Sequence, residues 1–514
     1  MIGIKQYFSK ASKITIFFKR NWVLFLICII TSLILFYKIE SSPPLLSQDE
    51  ASFANASFNI SRNLRDENNR FLPLYFETLS TRLTDWKNPI LVYWTAFFVK
   101  LFGFSIISTR LSSLVLGIIS VIFLYKTTEL IFPNKKYIPV VSSLLLITSP
   151  LFIIQSRIVI DPIILVPFTM TELYFLIRYY RTQKISDLVL VSIISGINFY
   201  TYSPARLFSG LILIIGVIIF TKYNGLNKKY INRIFLSGLI FSLFVLPTII
   251  WQIKYPGLIT NRYVEKLLPI NFENIISGFW TNYLRYFDLS FLFGNGDADL
   301  LHSTGRAGVF MFAALPLFLV GVVCLFKNYK EKINLFLLIL VIIYPLGIFN
   351  LNEPYRACRT IYMLNIFPLV FAFGWLFLIN SYKKIAFASV ILLFLQFPIV
   401  LFDFYYKYPI RTQLSWKYRY QLSSQVEKML LDANTNPSVN YFIDKNIWFA
   451  VDDLTYYENI HKIRPNNIIF TDDITMASKK NSFFLTNRVN GEGDEPKGSK
   501  ILSGWDGYYI LIKR

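Results

Sequence analysis

Apolar runs of about 16–25 residues recur along the first 400 positions of this 514-residue chain. That is the helix length that crosses the hydrocarbon core of a bilayer. The chain therefore reads as an α-helical polytopic membrane protein. Composition agrees: 54% of residues are hydrophobic and only 16% charged, against about a quarter charged in soluble domains.

We place about eleven spans, at 22–37, 107–125, 138–155, 162–178, 187–202, 207–221, 234–251, 307–326, 333–350, 360–380 and 385–402. The formal net charge of +21 would point to nucleic acid in a soluble protein. Here it has another source. Lys5, Lys10, Lys13, Lys19 and Arg20 precede the first span, and further Lys and Arg residues gather at 135–136, 178–184, 228–233, 327–332 and 383–384. Alternation from a cytoplasmic N-terminus puts every one of these clusters inside, as the positive-inside rule requires. No nucleic-acid partner is expected; membrane lipids are. The segment 89–104 is apolar but short and carries Lys100. Counted as a span it would invert every later loop, so it reads as an interfacial or re-entrant helix.

The outward segments are then 38–106, 156–161, 203–206, 252–306, 351–359 and a tail from 403. The expected division is a transmembrane catalytic domain, 1–402, with a first outer loop at 38–106, and an extracytoplasmic α/β domain, 403–514. In that domain a helix at 420–432 and strands at 439–443, 467–470, 482–485 and 508–512 are expected, with a loop at 490–498.

Polar residues that bear chemistry fall in the outward segments. Ser47-Gln48-Asp49-Glu50 fits the S-x-x-E helix start, with an amphipathic helix over 48–65. Glu50 reads either as a cap that reaches back to the Ser47 amide or, with Asp49 and Asp161, as a candidate catalytic carboxylate. Asp49 is not needed for the box, and at a helix N-terminus it reads as a general base kept ionised. Lys87, before the interfacial helix, either snorkels or supplies a point charge for phosphate. Arg157 and Asp161 stand four apart in a very short turn. They read equally as an ion pair or as a functional pair, since charges between spans are costly. Tyr202 and Arg206 lie in another short outer hairpin. The stretch 291–306 holds Asp297, Asp299, His302 and Arg306, which suit a sugar or diphosphate. Arg356 and Arg359 add forked donors for phosphate. Three cysteines, Cys28, Cys324 and Cys358, form no CxxC pair, and two histidines exclude a His-rich metal site. No P-loop or GxSxG motif is present.

Taken in order, these pieces resemble the GT-C membrane glycosyltransferases, in particular the bacterial family-39-like group related to protein O-mannosyltransferases and lipid A aminoarabinose transferases. The resemblance rests on Asp49-Glu50, Lys87-Asn88-Pro89 through Trp94, Leu101-Phe102-Gly103 with Arg110, and Arg157 with Asp161. It continues through Tyr200–Arg206, Leu292–Asp297 with His302, and Pro354–Arg359, spanning about residues 20–400. It implies a GT-C fold and transfer of a sugar from a polyprenyl-phosphate donor to an extracytoplasmic glycan, lipid or protein acceptor. Asp49 would activate the acceptor, and Asp161 would be the second acidic position. Lys87, Arg206, Arg356 and Arg359 would hold the donor phosphate. Lys87-Asn88-Pro89 departs from the Pro-Pro or Glu-Lys-Pro of related enzymes. No cofactor is implied, and an oxygen-ligated divalent cation stays open. The expected location is the plasma (inner) membrane with the site facing outward. The rival readings are a transporter or flippase of lipid-linked saccharides and a non-catalytic scaffold. Transporters gather polar groups near the midplane, whereas these lie at one face.

Overall fold

The computed structural model describes residues 21–77, 86–221, 228–257, 272–347, 356–413, 420–447, 450–479, 481–488, 499–505 and 508–512. The N-terminal basic cluster, Asp85, Glu353, Pro354 and the 490–498 loop lie outside them.

Helices dominate. In chain order they are α1 (Asn21–Phe36), α2 (Gln48–Asn63), α3 (Pro89–Phe102), α4 (Ile106–Ile131), α5 (Ile138–Ile147), α6 (Pro150–Gln155), α7 (Pro162–Thr182), α8 (Ile185–Asn198) and α9 (Ala205–Phe220). There follow α10 (Lys228–Lys254), α11 (Phe272–Arg285), α12 (Leu315–Lys327), α13 (Lys332–Ile343), α14 (Met363–Ser381) and α15 (Lys383–Phe402). Among the described residues, five helical segments are long and apolar enough to cross a membrane: α4, α7, α10, α14 and Lys383–Gln413. Shorter apolar helices fill the other expected spans, and the 138–155 segment is divided at Ser149-Pro150 into α5 and α6.

Packing within the bundle uses small residues, as lipid supplies no hydrophobic drive between helices. α12 and α14 meet where Gly321 faces the Val370 carbonyl and Gly374 faces that of Leu317. A Cβ on either glycine would lie 2.2 or 2.0 Å from the carbonyl oxygen, so the two backbones touch only because both positions lack one. α10 is the opposite case. Phe235, Leu243, Ile250 and Ile253 are exposed, as on a lipid-facing helix.

The tail is α/β. It adds α16 (Tyr408–Gln413), α17 (Tyr420–Thr435) and α18 (Ala450–His461). After the short pair β1 (Phe76–Glu77) and β2 (Trp86–Lys87) in the first loop, its strands are β3 (Asn440–Asp444), β4 (Ile468–Thr471), β5 (Ser482–Thr486), β6 (Lys500–Trp505) and β7 (Tyr508–Ile512). They form one sheet in the order β4-β3-β5-β7-β6, parallel across β4-β3-β5 and antiparallel beyond. The expected helix and four expected strands are all present. The sequence reading missed α18, β6 and the β1–β2 pair. The tail also shares its core with the first loop: Leu46, Ala51 and Ala54 pack with Val426, Leu430 and Leu454, and Asn55 Nδ2 donates to the Asp452 carbonyl at 2.9 Å.

Candidate functional site

α2 starts as its sequence dictates. The Glu50 amide donates to Ser47 Oγ at 3.3 Å, and Glu50 Oε2 accepts from the Ser47 amide at 3.0 Å. Glu50 does more than cap. Its carboxylate is fully buried and takes Arg110 Nε at 3.1 Å and Nη2 at 3.2 Å, while the Val159 amide donates to Oε1 at 3.2 Å. Arg110, also fully buried, donates further to the carbonyls of Ile39, Pro43 and Leu45. A buried pair offsets its desolvation only when every remaining donor and acceptor is met in this way. Asp49, one residue earlier, is exposed. It has no hydrogen-bond or ion-pair partner among the described residues, and it stands in the first turn, where the helix dipole favours an anion.

Arg157 does not pair with Asp161. Its guanidinium donates to the carbonyls of Ile34, Leu35, Lys38 and Ser42 at 2.6–3.2 Å. It thus caps the C-terminal end of α1, whose last carbonyls have no amide partners of their own. Burial pulls this guanidinium down to about 10.

Asp161 instead accepts from Asn88 Nδ2 at 3.0 Å, and Asn88 Oδ1 accepts from Arg206 Nη2 at 2.9 Å. One buried amide therefore joins an aspartate from the start of α7 to an arginine from the start of α9. The sequence assigns Asn88 no role, because an amide flanked by Lys and Pro carries no local signal. The turn from Gln155 to Asp161 is a hub. Gln155 reaches His302, Arg157 the end of α1, the Val159 amide Glu50, and Asp161 Asn88.

Lys87 is buried and turned toward α2. Its amine donates to Ser52 Oγ and lies 5.2 Å from the Phe53 ring centroid. Beside it, burial pushes the half-buried Glu67 carboxyl up to about 7 against the pull of Lys87. Tyr202 is half-buried at the entry to α9.

The second group of expected site residues forms a clasp. Asp297 is buried and accepts from the amides of Asp299 at 2.9 Å and Ala357 at 2.7 Å. Asp299 accepts from the Leu301 amide at 3.0 Å and pairs with Arg356. His302 Nδ1 lies 3.1 Å from Gln155 Nε2. Burial opposes charge on His302, but Cys358, Asp297 and Asp299 outweigh it and push the imidazole up to about 9. Burial likewise opposes the Cys358 thiolate, and His302 and Arg359 draw the thiol down. Arg306 is exposed and Arg359 half-buried. Among the described residues no three His, Cys, Asp or Glu side chains are placed to hold a metal ion.

Residues 87–251 match the family model described as dolichyl-phosphate-mannose-protein mannosyltransferase. The match covers the Asn88–Asp161–Arg206 relay, Arg110 and the hub. No curated protein matches the sequence. Among solved structures, ArnT from Cupriavidus metallidurans bound to undecaprenyl phosphate superposes with a TM-score of 0.54 at 12% identity, over 96% of this chain and 98% of that one. The Archaeoglobus fulgidus oligosaccharyltransferase, tethered to an acceptor peptide containing the NVT sequon, gives 0.55 at 12% identity, over 91% and 69%. The chain has the GT-C fold. At such identities the likeness speaks for the backbone alone. The GT-C fold expected from the motif order is thus present, with the family match lying on α3 to α10.

Proposed function

We propose that this GT-C protein transfers a sugar from a polyprenyl-phosphate donor to an acceptor outside the cytoplasm. The observation that carries the reading is the division of labour at the start of α2. Glu50 is locked to Arg110 and the hub, while Asp49 beside it presents an exposed carboxylate with no partner among the described residues. A rigid mount next to a free carboxylate is what a positioned general base requires. The family match to lipid-linked mannosyltransferases supports the donor class, as does the undecaprenyl phosphate bound by ArnT.

In this reading Asp49 removes the proton from an acceptor hydroxyl, or orients an acceptor amine. The acceptor atom forms a bond to the anomeric carbon as the carbon–oxygen bond to phosphate breaks. The electron pair leaves on the polyprenyl phosphate, whose charge Arg206 offsets. Asn88 holds Arg206 at one end and Asp161 at the other. Glu50 positions Asp49. The eleven-span topology, the inner membrane and the outward-facing tail belong to the same proposal, because they put these groups on one side of the membrane.

The deciding experiment uses purified protein in lipid nanodiscs with a labelled polyprenyl-phosphate sugar and an envelope extract as acceptor source. Asp49→Asn should lower transfer by about 10²–10⁴-fold with undiminished binding of undecaprenyl phosphate. Near-normal turnover would remove Asp49 as the base. Movement of the labelled lipid across the bilayer without transfer would favour the transporter reading.

A further inference from the structure

Beside the Asn88 relay the first loop meets the outer end of α10 in a strip of aromatic rings. Tyr75 and Trp251 lie with centroids 6.3 Å apart, Trp86 and Trp251 6.3 Å, Trp251 and Tyr255 4.9 Å, and Trp86 and Tyr255 5.4 Å. An arginine closes each end. The Arg206 guanidinium lies 5.5 Å from the Tyr75 ring centroid, and that of Arg70 lies 5.0 Å from Trp86 and 5.5 Å from Tyr255. Stacking and cation–π contact explain why the rings gather. They do not explain the polar atoms. Arg206 Nε, Trp251 Nε1 and Arg70 Nη2 are each buried N–H donors without a hydrogen-bond acceptor among the described residues. Buried donors are nearly always met, and leaving one unmet costs about 1–3 kcal/mol. Three along one strip call for a ligand rich in acceptors.

The two ends differ in charge. Asp66 at 2.5 Å and Glu77 at 3.4 Å neutralise Arg70, so its remaining N–H suits an uncharged acceptor. Arg206 donates to the Asn88 amide oxygen and meets the Tyr75 hydroxyl, both uncharged, so its positive charge is left for an anion. A phosphate at Arg206 followed by a pyranose fits this order: the ring's C–H face stacks on the aromatics and its hydroxyls accept from Trp251 and Arg70. We propose that Trp86, Trp251 and Tyr255, backed by the buried Tyr75 ring, form the subsite for the donor's sugar, and that this sugar is a neutral, hydroxyl-rich one. The inference rests on the polyprenyl-phosphate reading above.

The test measures binding to full-length protein in nanodiscs by native mass spectrometry. Its probes are undecaprenyl phosphate and its glucosyl, mannosyl and galactosyl phosphodiesters. At least one neutral sugar lipid should bind at least about tenfold more tightly than undecaprenyl phosphate. Trp251→Ala should abolish that gain and leave the bare lipid unchanged. Trp251→Phe keeps the ring but removes Nε1–H, so it should lose part of the gain, which guards against a folding defect in the alanine variant. Arg206→Ala should weaken every lipid in the set. If undecaprenyl phosphate itself fails to bind, the donor reading falls. If it binds and no sugar adds affinity, or the gain survives Trp251→Ala, the sugar subsite alone is overturned.

Discussion

The first loop, with the turns and helix starts packed against it, and the 297–306 loop carry similar sets of charges and use them in opposite ways. In and around the first loop the charges divide. Glu50, Arg110 and Arg157 are saturated and buried, whereas Asp49 is exposed and Arg206 keeps a donor without an acceptor. In the second loop the two aspartates hold the loop's own amides and the neighbouring 356–357 backbone and side chain. The richest polar stretch in the sequence is a clasp, and the site with unsatisfied groups lies at the sparser one. Polar density in a membrane protein's outer loop measures how much backbone needs tying down as well as where chemistry occurs.

The largest effect should come from breaking the mount. Glu50→Ala leaves Arg110 buried without its anion, and thermal unfolding in detergent should register a loss of about 3–5 kcal/mol. Replacing both partners with apolar residues, Glu50→Leu with Arg110→Met, should restore much of it. If the single variant melts with the wild type, the saturated half of the comparison is wrong. Next, Asp297→Ala orphans the amides of Asp299 and Ala357. A destabilisation of about 1–3 kcal/mol is expected, with faster hydrogen exchange across 297–306. Unchanged exchange there would count against the clasp.

A smaller, pH-dependent effect follows from His302. Its folded value of about 9 stands above the ordinary 6.5. Its stabilisation is therefore full below about 6.5 and falls as pH rises through about 9. Exchange protection of 297–306 should drop over that alkaline interval and become flat in His302→Asn. The smallest effect is expected at exposed Arg306, where Arg306→Ala should shift stability by less than about 0.5 kcal/mol. Lost transfer with stability unchanged would bring the second loop into the working site and redraw the contrast.

Much of this was legible in the residues. Span periodicity located the apolar helices, and Ser47–Glu50 announced the start of α2. What could not be read was which distant group each charge meets. Glu50 and Arg110 are 60 residues apart, and nothing local marks them as partners. Arg157 and Asp161 stand at the spacing of helical neighbours, but residues 156–161 form a turn rather than a helix. The i,i+4 rule has no force there, and α1's open carbonyls win the guanidinium. Asn88 was hidden because an amide's usefulness lies in serving a donor and an acceptor at once, which only the fold reveals. The docking of the tail on α2 was hidden too, since alanines at 51 and 54 give a weak apolar face on their own.

That docking sets an order of events during synthesis. The segment bearing Asp49 is made well before part of the core beneath it, Val426, Leu430 and Leu454. Until the tail has folded, Leu46, Ala51 and Ala54 lack their covering and α2 has nothing to rest on from that side. A chain still emerging therefore carries its exposed carboxylate on an unseated helix.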